Sequence, residues 1–343
     1  MNRDERPMVS CIIPTYNEEK RIGKCIKSIL AQSYPQDRIE ILVVDDDSYD
    51  GTVAIASSLG ARILRNGEHN IERGKSIGAE NACGDYMLLL DADNALPEED
   101  WLISAVTSLL DNPEAVGAQA AWFYYTPDDY AANRYCALFG INDPFAFYLR
   151  KRDKLTWYER QWAISGEVVK SSDEYYLVRF NASNMPTIGS QGYLIRTELL
   201  RSVEHAPFLF HMEMNLELIN RGMDVFVMLN KSVVHDHCRT VRELLGKMKR
   251  NFSLFLEQRT IRTYRWETSL FDKTLALVSM LTVIRPTVDS IRGYIQIRDT
   301  AWFLHPLICL AVPFMYGYLF MRRLLVKGPT FVAGPRGISS RKP

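Results

Sequence analysis

Two aspartates separated by one alanine, Asp91-Ala92-Asp93, are the residues of this chain best placed to do chemistry. They follow Tyr86-Met87-Leu88-Leu89-Leu90, an apolar run of the length of a buried strand. On an extended chain end, carboxylates at i and i+2 point to one side and can share a hard divalent cation. Mg²⁺ or Mn²⁺ held in this way is suited to bridging a nucleotide diphosphate. Acidic pairs in loops are common and mostly solvated, so the spacing alone says little. The position says more, because ligands of open parallel sheets gather at the C-terminal ends of the strands. A second acidic group, Asp45-Asp46-Asp47, ends the apolar run Ile39–Val44. Three adjacent carboxylates repel one another, so at least one needs a polar partner. Arg73 and Lys75 precede the Tyr86 run, where they can pair with phosphate, orient Asp91, or serve as plain surface charges.

The elements that must position these residues alternate over the first 110 residues. Val9–Ile13 is a short apolar strand stopped by Pro14, and Ile22, Cys25, Ile26, Ile29 and Leu30 recur at helical spacing. Ile39–Val44 is a second strand; Asp50-Gly51-Thr52 turns into the helix Val53–Leu59, with Asp50 better explained as a cap than as a ligand. Ala61–Leu64 is a third strand, Lys75–Ala82 a short helix, and Tyr86–Leu90 the fourth strand. Pro97 with Glu98, Glu99 and Asp100 marks the next helix start, as its fixed φ and the helix dipole favour. This rhythm predicts an α/β fold with a mainly parallel sheet covered on both faces. The stretch from about Trp122 to Asn184 is aromatic-rich and lacks a clean period, as an insertion over the sheet or the lining of an acceptor pocket would. Further on, helices are expected from near Thr197 and over Met212–Asn220, the latter stopped by Gly222, with a strand over Val225–Leu229.

Forty-one basic and 41 acidic residues cancel, which leaves no global field to attract nucleic acid. Six scattered cysteines without a C-x-x-C pair indicate a reducing compartment, with neither a disulfide frame nor a zinc knuckle. Three N-x-S sequons follow no secretory signal. Local charge is uneven. Residues 242–265 carry seven basic residues against Glu243 and Glu257, and Arg322, Arg323, Lys327, Arg336, Arg341 and Lys342 close the chain without an acid. Beside these runs lie two apolar segments, 274–284 and 301–321, the second about 31 Å long as a helix and able to span a bilayer. His305, Pro306 and Pro313 interrupt it, which predicts a kinked or re-entrant path. A single clean span would put the basic tail and the main domain on opposite sides. The positive-inside tendency therefore favours in-plane or re-entrant helices on the cytoplasmic face of a membrane.

Three motifs taken together carry a resemblance. Ile13-Pro14-Thr15-Tyr16-Asn17-Glu18, Val44-Asp45-Asp46-Asp47-Ser48-Tyr49-Asp50-Gly51-Thr52 and Leu90-Asp91-Ala92-Asp93 are similar in order and spacing to family 2 glycosyltransferases. These are inverting enzymes of the GT-A fold, Rossmann-like, that use nucleotide-diphosphate sugars and a divalent metal. The resemblance covers about residues 8–255, and implies a GT-A domain over residues 1–255 with a nucleotide-sugar half (about 8–120) and an acceptor half (about 121–255). Residues 256–343 would form the membrane-associated helical region. In this frame Pro14, Tyr16 and Glu18 contact the base and ribose of a UDP- or GDP-linked donor, although Glu18 also suits a place beside a helix cap. Asp46 makes a nucleoside contact, Lys75 serves the phosphates, and Asp91, Ala92 and Asp93 hold the diphosphate, with Asp91 and Asp93 as metal ligands. The third metal ligand in this family is often a histidine after the acceptor helix. Val233-Val234-His235-Asp236-His237 resembles that element; two histidines at i and i+2 face one way on a strand, only one is needed, and His235 is the preferred ligand.

The chain departs from the family at the base. Inversion at a hydroxyl needs a carboxylate to take its proton, supplied in the family by a Glu-Asp pair 12 and 11 residues before the glycine that ends the acceptor helix. Counting back from Gly222, those positions hold Phe210 and His211. Glu213, two residues on, can reach the site from the same helix; His211 can act instead; or no base is needed, if the acceptor is an anionic polyprenyl phosphate. A second departure is Lys247-Met248-Lys249-Arg250-Asn251, where processive members carry Gln-x-x-Arg-Trp. The missing Trp implies single addition, with Arg250 holding the leaving diphosphate. The expectation is a membrane-associated transferase moving one sugar to a lipid-linked acceptor. Alternatives are a non-catalytic nucleotide-sugar-binding scaffold or a nucleotidyltransferase, the last disfavoured because Pro14-Thr15-Tyr16-Asn17 stands where a Gly-rich loop should.

Overall fold

Strands that are apolar at every position need cover on both sides, and the N-terminal strands find it. In β1 (Val9–Thr15), Val9, Cys11 and Ile13 enter one core while Ile12 enters another, and Ile41, Val43 and Leu42 of β2 (Ile39–Asp45) divide the same way. The computed structural model describes residues 6–204, 206–258, 262–264 and 268–327. The remaining elements of the N-terminal half are α1 (Ile22–Leu30), α2 (Thr52–Ser58), β3 (Arg62–Arg65), α3 (Ile71–Asn81), β4 (Tyr86–Leu89), β5 (Asn94–Ala95), α4 (Trp101–Asp111) and β6 (Ala115–Phe123). They are followed by α5 (Ala131–Phe139), α6 (Pro144–Tyr148), β7 (Glu167–Ser171), β8 (Tyr175–Arg179), β9 (Tyr193–Arg196), α7 (Thr197–Ser202), α8 (His211–Asn220) and β10 (Val225–His235). The chain then turns helical as α9 (Val241–Gln258), α10 (Leu270–Thr282), α11 (Ile284–Gln296) and α12 (Leu304–Lys327).

The sheet order is β3-β2-β1-β4-β9-β6-β10-β8-β7, with β5 paired to β10. β3-β2-β1-β4 is parallel, as the N-terminal rhythm predicts. Beyond it the sheet is mixed, because β9 inserts antiparallel between β4 and β6, and β8 runs antiparallel to β10. Helices α1, α2 and α4 cover one face through residues such as Ile26, Ala56 and Trp101; α3, α7 and α8 cover the other through Ala79, Leu200 and Leu218.

Two local details set positions in the site. Helix α3 starts at Ile71, earlier than the expected Lys75, because the Asn70 side chain accepts from the amides of Glu72 (2.9 Å) and Arg73 (3.3 Å). Its Gly74 and Gly78 lie against β1: a Cβ on Gly78 would stand 2.3 Å from Ile12 Cγ2, so only glycine lets the helix lie this close. That close seat carries Lys75 into the interior, where it is 4% exposed.

The C-terminal helices share a third core with α5, α6 and α9, built around Phe139, Tyr148, Leu244, Met280, Trp302 and Val312. The apolar segment 274–284 divides at Val283, whose φ of +53° ends α10, and the two helices meet at a bend of 73°. Most of segment 301–321 lies in one continuous helix, α12, preceded by a single 3₁₀ turn over Thr300–Phe303. Pro306 lies in the first turn of α12, where no amide donor is needed, and the helix runs on through Pro313. His305 is fully buried, its ring nitrogens each 3.0 Å from the hydroxyls of Tyr135 and Tyr148. Residues 300–325 are long and apolar enough to cross a membrane, and the bent α10–α11 pair would pass the same test as one unit. Leu270, Phe271, Ile284, Leu307, Phe314 and Leu325 are exposed. Arg336, Arg341 and Lys342 lie outside the described residues.

Candidate active site

The three sequence motifs come together at the C-terminal ends of β1, β2 and β4, beside the point where strand order reverses. Pro14 does not stop β1 but is buried within it, opposite Val44 of β2; past the strand end Tyr16 is half-exposed, its ring edge-on to Tyr49 and His69. Glu18 pairs with Arg21 at 3.1 Å, and Arg21 reaches on to Asp236 at 3.1 Å, so the first motif is tied to the loop after β10. After β2 each acid has a separate partner. Asp45 accepts the Ser48 amide (2.9 Å), Asp46 accepts the His69 amide (2.8 Å), and Asp47 is held by Arg65 (2.7 Å). Asp50 accepts from the Thr52 amide (3.0 Å) in the turn before α2, but it does not cap the helix: the N-cap position is Gly51, which has no side chain to accept.

Asp91, Ala92 and Asp93 lie in a turn closed by the Asn94 amide on the Asp91 carbonyl (2.9 Å), rather than on a continuing strand. A two-residue ladder fixes that turn. His235 pairs with Asn94 and Val234 with Ala95, and the Asp236 amide donates to the Asp93 carbonyl (2.9 Å). The register therefore sets the end of β10 against the acidic turn. His235 Nε2 is 3.7 Å from Asp93 Oδ2, and His237 Nδ1 is 3.2 Å from His235 Nε2. Among the described residues these three offer ligand atoms all within 4.8 Å of one another. Asp91 is outside the trio but close enough for its charge, after burial itself, to push the Asp93 carboxyl up to about 7. Burial holds both imidazoles well below their ordinary pKa, so they are neutral and can donate lone pairs. His235 Nδ1 is a buried atom without a hydrogen-bond partner. One carboxylate and two neutral imidazoles suit a divalent cation such as Mn²⁺, so the residues fit a metal of the kind the acidic motif implies.

On the acceptor side His211 and Glu213 occupy the first turn of α8. Gly189 (φ +111°) passes the helix so closely that a Cβ there would lie 2.5 Å from Asn215 Nδ2 and 3.0 Å from His211 Cβ. Among the described residues, neither Glu213 carboxylate oxygen nor His211 Nδ1, all three buried, has a side-chain hydrogen-bond partner. Burial raises the Glu213 pKa, opposed by Arg262, whose Nε is 3.6 Å away; burial and the charge of Lys75 lower that of His211. Lys75 pairs with Glu72 (3.5 Å) and feels the charges of Asp91 and Arg262, which links the acidic turn to the acceptor side. Arg73 is spent on Glu68 and Glu80. Arg250, on α9, is exposed and acts on the trio only through its charge on His237.

Three basic residues to which the sequence assigns no part in the site lie close in. Lys247 Nζ donates to the His237 carbonyl (2.5 Å) and is 3.9 Å from Asp93 Oδ2. It occupies the Gln position of the Gln-x-x-Arg-Trp comparison, a signal that was available. Lys154 is fully buried, 2.6 Å from Asp153, and its charge reaches His235. The run Lys151-Arg152-Asp153-Lys154 looks solvated in sequence, and nothing in it signals burial. Arg262 lies past the end of α9, where no period marked it.

Residues 10–170 match the model of "Glycosyl transferase family 2". Glycosyltransferase AglE of Haloferax volcanii is 31% identical over 135 residues, 38% of this chain and 44% of AglE. The dolichyl N-acetyl-alpha-D-glucosaminyl phosphate 3-beta-D-2,3-diacetamido-2,3-dideoxy-beta-D-glucuronosyltransferase of Methanococcus voltae is 36% identical over 101 residues, 27% of this chain and 31% of that protein. The matched stretches thus span less than half the length of these relatives. Among solved structures, the mannosyltransferase PcManGT from Pyrobaculum calidifontis, in complex with GDP-Man and Mn²⁺, has a TM-score of 0.54 at 15% identity, covering 96% of this chain and 90% of that one, which shows a shared GT-A fold. With its three motifs gathered at one sheet edge and the family model matched across them, residues 10–170 of the chain carry a family 2 glycosyltransferase domain.

Proposed function

We propose that this chain is a membrane-associated, metal-dependent glycosyltransferase that moves one sugar, with inversion, from a UDP- or GDP-linked donor to a lipid-linked or polyprenyl-phosphate acceptor at the cytoplasmic face. The observation that carries the reading is the β5–β10 ladder, which sets Asp93 against His235 and His237 beneath the strand ends bearing residues 14–18 and 45–47. In this reading Pro14, Tyr16, Glu18 and Asp46 frame the nucleoside, and Lys75, Lys154, Lys247 and Arg250 surround the diphosphate with positive charge. Asp91, Asp93 and His235 would hold Mg²⁺ or Mn²⁺, which when bound would supply positive charge to offset that of the leaving diphosphate.

Glu213 is the better base of the two residues available. A carboxylate with a raised pKa is the stronger proton acceptor, whereas the depressed pKa of His211 makes its imidazole a weak one. Glu213 takes the proton of the acceptor hydroxyl as its oxygen attacks the anomeric carbon, and the nucleoside diphosphate departs from the opposite face. The Methanococcus relative, whose name gives a dolichyl phosphate-linked sugar as its acceptor, supports a lipid-linked acceptor here.

The test is a panel of UDP- and GDP-sugars with Mn²⁺, offered to lipid-phosphate and lipid-linked acceptors in membranes. One donor–acceptor pair should give a single-addition product of inverted configuration. A folded chain that binds the nucleotide and turns over none of the panel would instead favour a binding scaffold.

Membrane attachment is supported by the exposed apolar face of α10–α12 and by Arg322 at its end. Burying a Leu or Phe side chain contributes about 1.5–3 kcal/mol each. Leu307→Asp with Phe314→Asp should therefore lower co-flotation with vesicles containing anionic lipid at least about tenfold. Unchanged flotation would exclude this face as the attachment surface.

A further inference from the structure

Sequence reasoning needed only one of the two histidines after β10; the structure sets both at the same point. The His237 backbone is fixed from three sides. Its amide donates to the His235 carbonyl (2.8 Å) and to Asn133 Oδ1 (3.0 Å), and its carbonyl accepts from Lys247 Nζ (2.5 Å). The ring is thereby turned back so that Nδ1 lies 3.2 Å from His235 Nε2, with ring centroids 4.5 Å apart. His235 is itself packed on the Phe123 ring at 5.3 Å, and its Nε2 is 3.7 Å from Asp93 Oδ2. Both imidazoles are 8% exposed, so solvent does not satisfy them in bulk.

Two nitrogens and an oxygen at these separations outline adjacent corners of a coordination shell. An octahedron with metal–ligand bonds of about 2.1 Å has edges of about 3 Å. The His–His spacing already matches that edge, and the His–Asp spacing needs to close by well under 1 Å. Donor type then decides which cation gains. Mg²⁺ prefers an all-oxygen shell and gives up water reluctantly, whereas imidazole nitrogen suits transition-series ions.

We infer that His237 is a further ligand of the divalent cation proposed for Asp91, Asp93 and His235, and that the second imidazole makes the site select Mn²⁺ or Co²⁺ over Mg²⁺. The inference rests on the proposed donor site and adds to it a ligand and a metal preference. Helix α9 takes part as a buttress, since Lys247 touches both the His237 carbonyl and, at 3.9 Å, the Asp93 carboxylate.

The test reads metal binding to the full chain in lipid or detergent, without a sugar nucleotide. Pulsed electron paramagnetic resonance of the Mn²⁺-bound wild type should show couplings to two imidazole nitrogens, and His237→Gln should show one. Calorimetry should give a loss of Mn²⁺ affinity for His237→Gln and for His237→Ala that exceeds the roughly 10–100-fold typical of losing an outer-shell partner. Mg²⁺ should bind the wild type at least about tenfold more weakly than Mn²⁺, and the two variants should change that Mg²⁺ affinity little. The wild-type spectrum needs no variant, so poor folding of either mutant leaves the inference exposed to failure. A single nitrogen coupling in the wild type, with Mn²⁺ binding still abolished in Asp93→Asn, would overturn the role of His237 and leave the donor site standing. A wild type that binds neither ion, with or without a nucleoside diphosphate, would overturn both.

Discussion

Asp93→Asn is expected to lower sugar transfer by about a thousandfold or more while leaving the fold intact. Asp93 is the only member of the trio able to carry a negative charge, since burial keeps His235 and His237 neutral; with its pKa pushed up to about 7, a bound cation also favours its ionised form. The substitution preserves side-chain size at a position anchored mainly by backbone, through the Asp236 amide on the Asp93 carbonyl. What is lost is the charge that offsets Lys247 and draws in a divalent cation. Metal assistance to a departing diphosphate is worth several kcal/mol, and each 1.4 kcal/mol is about a factor of ten in rate. The measurement is kcat at saturating donor across a Mn²⁺ titration, beside a thermal melt. A loss of less than tenfold at any Mn²⁺ concentration would remove Asp93 from the centre of the site.

Glu213→Gln should cost about 10²–10⁴-fold in transfer to a hydroxyl acceptor, the usual range for a general base. His211→Ala should cost far less, since its depressed pKa makes it a weak proton acceptor. The pH profile carries a second signature. Burial raises the Glu213 pKa, and the base works only when ionised, so the wild-type rate climbs with pH through that raised value. The variant should lose this limb. Stability moves the other way. A carboxyl whose folded pKa exceeds its unfolded one adds stability below the unfolded pKa and loses it as pH rises through the folded one. At neutral pH the substitution should therefore leave Tm unchanged or raised, which separates a chemical loss from unfolding. Near wild-type transfer by Glu213→Gln onto a polyprenyl phosphate would show an acceptor that attacks as an anion without deprotonation.

The N-terminal half was legible because its signals are local. Apolar runs at strand length and the Ile22–Leu30 period specify β1, β2, β4 and α1, and the acids that end the strands land where such sheets bind ligands. The antiparallel part was not legible. β9 reaches its place between β4 and β6 from over 100 residues further along the chain, and no short-range pattern encodes that pairing. The same reasoning covers the site. Asp93 and the two histidines are visible as ligand types, but the register that brings His235 opposite Asn94 is a long-range fact. Lys154 and Arg262 were invisible because a charged residue in an aperiodic stretch looks solvated unless tertiary packing buries it. Pro306 does not break the helix for a local reason, since a proline in the first helical turn displaces no hydrogen-bonded amide, whereas Pro313 lies inside the continuous α12.

The third core has a practical consequence for handling the molecule. Phe139 of α5 stacks on His305 and meets Trp302 edge-on, and Tyr148 of α6 shares a hydrogen bond with the same histidine. Cutting the chain after α9 would therefore not release a water-soluble sheet domain. It would strip the cover from aromatic side chains that belong to that domain and replace one greasy surface with another. Solubility is better sought by polar replacement of outward-facing residues such as Leu307 and Phe314, which leaves the shared seam closed.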